Sequence, residues 1–205
     1  MIIARIPKIL SRTIRSLTWE LPGEEKTVYL TFDDGPTPGV TEWVLDQLDS
    51  YKASATFFCL GKNVHENPLL FQEILSRGHS VGNHSYSHLK GFRTSPSGYV
   101  SDVRKAREII DSDLFRPPYG RILSGQIRML KKDFRIIMWT VLSIDYNSKI
   151  SGDTVVKNVT HNVRKGSIIV FHDSVKASKH LYYALPEVLD YLTGEGYTIK
   201  SIPMT

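Results

Sequence analysis

Short apolar runs alternate with amphipathic stretches along this chain, and that alternation sets the first expectation about its fold. Strands are predicted at 27–32, 55–59, 79–83, 114–116, 135–139, 167–171 and 197–200. Two of them, Ile136-Ile137-Met138-Trp139 and Ser167-Ile168-Ile169-Val170-Phe171, are nearly unbroken apolar runs, as expected where both faces of a parallel sheet are covered. Between strands the apolar positions recur at helical spacing. Trp43, Val44, Leu45 and Leu48 mark one helix, which Thr41 is placed to cap. Asn67-Pro68 opens another, with proline at a permitted first position, and Arg77-Gly78 closes it. Further helices are predicted over 98–111, 124–132, 153–163 and 181–193, with Pro186 starting the regular part of the last. Strands alternating with helices imply an α/β protein whose parallel sheet closes, or nearly closes, into a barrel.

Length and composition narrow this to one catalytic-sized unit. A chain of 205 residues can bury a substantial core but is short for two independent domains. Hydrophobic content of 41% and charged content of 23% are those of an ordinary globular protein. The net charge of +5 is mild, and no Lys/Arg block is long enough to suggest nucleic acid. The single cysteine, Cys59, rules out an internal disulfide and sits in the apolar run 55–60, where it reads as a small core residue. No run approaches the roughly 18 apolar residues of a membrane-spanning helix. Residues 1–25 read as an extension packing on a domain that occupies 26–205. Arg5, Pro7 and Lys8 interrupt the start of the chain, which therefore lacks the pattern of a signal peptide. The default localisation is cytoplasmic, or the cell envelope if the sequence begins after an export signal or if export is non-classical.

The chemistry concentrates in a few places. Thr31-Phe32-Asp33-Asp34-Gly35-Pro36 sets two adjacent carboxylates at the end of a strand, just before a chain-breaking Gly-Pro. Burying two carboxylates together is costly unless a proton or a cation separates their charges. His84-Ser85-Tyr86-Ser87-His88 offers two imidazoles that one helical turn or one tight loop could aim at a single point. Two neutral imidazoles and a carboxylate leave a coordination position open for water, the pattern of a catalytic zinc.

These residues resemble the polysaccharide deacetylases of carbohydrate esterase family four, which carry the NodB-homology domain. The resemblance runs from about Lys26 to Tyr197. Residues 31–36 meet the first motif, T-F-D-D-G-P, in full, and 84–88 meet the second, H-[ST]-x-x-H. Arg116-Pro117-Pro118-Tyr119 meets the third, R-x-P-Y, and Val170-Phe171-His172 meets the fifth, L-x-H, approximately. The fourth, D-x-x-D-W, is met poorly by Leu142-Ser143-Ile144-Asp145-Tyr146.

The resemblance implies a distorted (β/α) barrel of about seven strands, short of the full eight units. It implies one divalent metal ion, most readily Zn2+, on Asp34, His84 and His88. It implies Asp33 as the base, Arg116 as the residue pairing with that base, and His172 as the acid that protonates the leaving amine. The prolines Pro117 and Pro118 would stiffen a loop that aims the Tyr119 backbone N–H at the oxyanion. Tyr146, Val170, Pro117 and Pro118 would form the substrate pocket. Leu142 stands where the family's first motif-four Asp pairs with the catalytic histidine, and Asp145 is the acid left to substitute for it. Trp139 reads as core rather than substrate contact.

The function so implied is removal of N-acetyl groups from an N-acetylglucosamine-containing polymer or oligomer, peptidoglycan or chitin-like. Two alternatives stand beside it: an O-acetyl esterase acting on a xylan-type polysaccharide, and a non-catalytic carbohydrate-binding relic of the fold.

Overall fold

The computed structural model describes residues 16–22 and 26–204. Nine strands occur among them: β1 (Leu17–Thr18), β2 (Thr27–Asp33), β3 (Thr56–Cys59), β4 (Ser80–Asn83), β5 (Leu114–Phe115), β6 (Arg135–Ile137), β7 (Val141–Leu142), β8 (Ile168–His172) and β9 (Thr198–Lys200). All pair in parallel, in the order β1-β6-β5-β4-β3-β2-β8-β7, with β9 on the start of β2. The distorted (β/α) barrel expected from the sequence is therefore present, with two more strands than predicted.

Those two, β1 and β7, are only two residues long, and they explain the distortion. The run 135–142 is one stretch of chain with two partners. Its first half, β6, pairs with β5, and its last two residues, β7, pair with β8. The ring of strands closes through this segment, which changes neighbours at Met138–Thr140. Beside β6, on the side where a regular barrel would continue, lies β1. Residues 16–22 are tied on further by the Leu21 N–H, which donates to the Gly166 carbonyl at 3.0 Å. The remainder of the predicted extension, 1–15 and 23–25, lies outside the described residues.

Every residue of β2 is buried. Phe32 at its centre stacks on Phe57 of β3 (ring centroids 5.1 Å apart) and on Phe171 of β8 (6.2 Å). Such contacts contribute on the order of 1 kcal/mol each beyond their area burial.

Helices α1 (Thr41–Ser50), α2 (Gly61–Glu66), α3 (Pro68–Ser76), α4 (Pro96–Arg107), α5 (Ser124–Leu130), α6 (Gly152–Thr160) and α7 (Ser178–Gly194) cover the sheet. Two expectations about them are corrected. Thr41 is not the cap of α1; its hydroxyl accepts from the Thr37 N–H (2.7 Å) and donates to Asp173 (2.6 Å). Pro186 lies inside α7 rather than starting it. The buried stripe Leu181, Ala184, Leu185, Val188, Leu189 and Leu192 runs through the proline at helical spacing, and that packing overrides the lost N–H. No helix among the described residues is long and apolar enough to cross a membrane.

Candidate active site

The C-terminal ends of β2, β4, β5, β7 and β8 face one cavity, as they do at barrel active sites. Asp33, the last residue of β2, lies in register with His172, the last of β8. The backbone then turns sharply. Asp34 takes φ 83°, a left-handed conformation uncommon for a residue with a side chain, and swings its carboxylate away from Asp33. This turn rests on Asp173, a fully buried carboxyl that receives the Gly35 N–H (3.1 Å) and the Thr41 hydroxyl (2.6 Å). Gly35 is required there, because a Cβ would collide with the Asp173 carboxylate. Burial pushes the Asp173 carboxyl up to about 8, against the pull of the Thr41 hydrogen bond.

Both histidines of the second motif come from a loop, not a helix. His84 follows β4 directly, and Ser85 (φ 68°) and His88 (φ 57°) both adopt left-handed backbone. The strain is held by hydrogen bonds. Asn83 Oδ1 accepts from the Ser85 N–H (2.7 Å), Ser85 Oγ from the His88 N–H (3.0 Å), and Asp102 from the Tyr86 and Ser87 N–H groups (3.0 Å each). His84 Nδ1 lies 2.8 Å from the Arg116 carbonyl, which only accepts, so Nδ1 carries the proton and Nε2 presents its lone pair. Burial pulls the His84 imidazole down to about 4, keeping it neutral at pH 7.

His84 Nε2 and His88 Nε2 stand 3.6 and 3.2 Å from Asp34 Oδ1. Asp34, His84 and His88 are the group among the described residues whose ligand atoms converge, all within 4.8 Å of one another. Asp34 Oδ1 is shielded from solvent yet receives no hydrogen bond, which is the condition of an atom built to meet a cation. Burial opposes ionisation of Asp34, but His88, His172 and His84 outweigh it and hold the carboxyl well below the usual range. A neutral imidazole and an ionised carboxylate are the states that bind a divalent metal.

Asp33 is held differently. Arg116 is fully buried, with its NH1 donating to Asp33 Oδ1 at 2.6 Å and to Thr31 Oγ1 at 2.7 Å. The other guanidinium nitrogens reach the Ile137 and Met138 carbonyls, at 3.4 and 3.1 Å, and the group lies 4.1 Å from the centroid of the Phe58 ring. This is an interior ion pair, unlike the exposed pairs made by Arg77.

His172 meets Asp145. Nδ1 lies 2.7 Å from Asp145 Oδ1, and the His172 backbone N–H donates to Oδ2 at 2.8 Å. Asp145 is wholly buried, and its carbonyl accepts from His180 Nδ1 at 2.9 Å. Burial opposes protonation of His172, but Asp145 outweighs it and raises the imidazole to about 9. The acid expected at position 142 is thus not needed. Leu142 instead packs with Val170, Ile144, Trp139 and Tyr146 as an apolar wall.

Pro117, Tyr119, Val170 and Tyr146 line the cavity, whereas Pro118 is buried behind it, a correction to the expected pocket. Trp139 is corrected too: it is half-buried and lines the cavity beside Gly120. Tyr119 adopts φ 60° at the tip of its turn, with its ring 4.6 Å from that of His88. Asp173, Thr31 and His180 escaped the sequence reading, since each acts through a backbone or a buried partner that spacing does not reveal.

A profile of the polysaccharide deacetylase family matches residues 20–133, more than half of the chain. The chain belongs to the polysaccharide deacetylase family. A peptidoglycan-N-acetylglucosamine deacetylase of Bacillus cereus is 33% identical over 193 residues, covering 91% of each chain. Another relative within the deacetylases, the peptidoglycan-N-acetylmuramic acid deacetylase PdaC of Bacillus subtilis, is 34% identical over 194 residues, 89% of this chain and 40% of that one. Among solved deacetylase structures, a peptidoglycan N-acetylglucosamine deacetylase in complex with an N-oxidanyl-benzamide superposes with a TM-score of 0.88 at 30% identity, over 97% of this chain and 95% of the other.

Proposed function

We propose that this polysaccharide deacetylase hydrolyses N-acetyl groups on an N-acetylglucosamine-containing glycan, with peptidoglycan as the favoured polymer. The observation that carries the reading is the convergence in one cavity of three elements. These are the Asp34–His84–His88 cluster, an Arg116-bound carboxylate and an Asp145-bound imidazolium. The names of the relatives support the polymer.

Asp34, His84 and His88 are the residues that would hold a divalent ion, zinc by donor type, which supplies acidification of water and polarisation of an acyl oxygen. Asp33, kept in place by Arg116, accepts the proton as water oxygen bonds to the acyl carbon. The Tyr119 backbone N–H is the donor for the developing oxyanion. His172, charged through Asp145, delivers a proton to the amine nitrogen as the C–N bond breaks. The products are acetate and a free amino sugar. An O-acetyl ester fits the same residues, with an alcohol leaving in place of the amine. Work on peptidoglycan would place the enzyme in the cell envelope.

Acetate release from peptidoglycan, chitooligosaccharides and acetylxylan, with and without a chelator and with zinc restored, tests the reading. Expected is chelator-sensitive release from the amino-sugar substrates. Release from acetylxylan alone, or from none of the three, would overturn it.

A further inference from the structure

The cavity is acidic only at its floor. Asp33 and Asp34 are the acids lining it, and Asp33 is already neutralised by Arg116. Above them the lining includes Lys90, Arg93, Arg121 and Lys176, all exposed. Among the described residues no acidic side chain lies within ion-pair distance of any of these four. Elsewhere Arg104, which is exposed, and the half-buried Arg77 and Arg164 pair with acids. A one-signed rim over low-dielectric walls concentrates ligands of the opposite charge.

Three of these cations ride on a braced support. Lys90 precedes the 3-10 turn Gly91–Arg93, Arg93 is its last residue, and Arg121 follows the turn Pro118–Gly120. The buried side chain of Gln126 ties these two loops together. Its Nε2 donates to the Gly91 carbonyl at 3.0 Å and its Oε1 accepts from the Leu123 N–H at 2.9 Å. Gly91 lies so close to the Arg121 carbonyl that a Cβ would strike it. The same loops present exposed aromatic faces, Phe92 at 56% and Tyr119 at 52%. Arg121 lies 5.9 Å from the Phe92 ring centroid, and Lys90 5.3 Å from that of Tyr119. An apolar ring beside an unpaired cation, twice over, suits a polymer that alternates sugar faces with carboxylates. A neutral glycan would leave the cations without a partner.

Resting on the deacetylase reading, we propose that Lys90, Arg93 and Arg121 form an anion subsite that selects carboxylate-bearing amino-sugar polymers over neutral ones. In peptidoglycan such carboxylates sit on the stem peptide, and on the lactyl ether of muramic acid wherever the stem has been cleaved from it. The test compares lysozyme-released peptidoglycan fragments with a neutral chitooligosaccharide, for the wild-type enzyme, the Lys90→Ala/Arg93→Ala/Arg121→Ala triple variant and the single reversal Arg121→Glu. The two readouts are kcat/KM for acetate release and Kd by calorimetric titration. In the triple variant the ratio of kcat/KM on charged over neutral glycan should fall about tenfold, with a smaller fall in Arg121→Glu. The wild-type Kd for charged fragments should weaken between about 20 and about 300 mM salt, and that for the neutral glycan should hold. Fragments stripped of stem peptides assign the effect. Stripping frees the lactyl carboxylate that the amide bond to the stem masks, so a retained ratio shows that carboxylate to be a sufficient ligand, and a lost one assigns the effect to the peptide.

An unchanged ratio, or equal loss on both glycans, overturns the subsite. No acetate from any glycan in the zinc-loaded wild type overturns the deacetylase reading instead. The titration still decides the subsite in that case, because binding needs no turnover.

Discussion

Asp145 grips His172 twice, through the imidazole Nδ1 at 2.7 Å and through the backbone N–H at 2.8 Å, so one buried carboxylate fixes both the charge and the position of the ring. His180 holds the Asp145 carbonyl from behind. The His172 imidazole, raised to about 9, is therefore protonated at neutral pH, the state that the proposed acid role requires.

The rate should persist through neutrality and fall as the pH climbs through about 9. Asp145→Asn removes the charge that opposes burial, and the basic limb should drop to the ordinary imidazole value of about 6.5 or below. At pH 8 that shift lowers kcat roughly thirtyfold from the protonated fraction alone. The folded value lies above the unfolded one, so the pair's contribution to stability is complete below about pH 6.5 and fades as the pH passes through about 9. Rate profiles and melting curves over pH 6–10 would show both; an unmoved limb in Asp145→Asn would defeat the assignment.

Leu142→Asp should not strengthen His172. Its side chain lies among Ile144, Val170, Trp139 and Tyr146, where a carboxyl finds no partner. The expected cost is about 2–4 kcal/mol in chemical denaturation. Higher activity at pH 9 would show that the new acid reaches the histidine after all.

The two adjacent aspartates should separate in function. Asp34→Asn and His84→Ala should lose metal, measured by elemental analysis, whereas Asp33→Asn should keep it and lose turnover by about a hundredfold or more. Equal metal loss in Asp33→Asn and Asp34→Asn would erase the division.

Arg116→Ala strands Asp33 in the interior without its cation, and about 3–5 kcal/mol of stability should go with it. Arg116→Lys should recover only part, because one ammonium cannot reach Thr31, Asp33, Ile137 and Met138 together. Urea midpoints of the three proteins are the measurement.

Gly35→Ala drives a methyl into the Asp173 carboxylate and should destabilise the fold by about 1–3 kcal/mol. Asp173→Ala relieves that collision but leaves the Gly35 N–H and the Thr41 O–H without an acceptor. The double variant should therefore be more stable than the sum of the two single losses, which a thermal double-mutant cycle would reveal.

Apolar runs such as 27–32 and 167–171 announced the sheet because burial on both faces writes itself into every position. The two-residue strands β1 and β7 left no such mark, since their pairing depends on where distant chain lies. The Asp34–His84–His88 cluster was legible because adjacent acids and closely spaced histidines are chemically unusual. Asp145 was legible only as a spare carboxylate, because which acid touches His172 is settled by the left-handed turn at Ile144 (φ 65°), and sequence does not declare that turn. Trp139 read as core for a related reason, as its strand ends at Ile137, two residues before it. Lys90, Arg93 and Arg121 looked like scattered surface charge until Gln126 brought their loops together.

The change of partner at Met138–Thr140 has a bearing on how this barrel could evolve. The Ile137 and Met138 carbonyls, at the break between β6 and β7, are the ones that receive the Arg116 guanidinium. Continuous strand pairing there would use those oxygens within the sheet and leave the arginine without its cradle, and Asp33 without its cation. Mending the flaw would gain strand pairing and strand an interior charge pair in exchange. Variation that tidies this corner should thus be rejected by folding itself, whatever the demand for activity, which keeps the barrel irregular at the place where regularity would be easiest to gain.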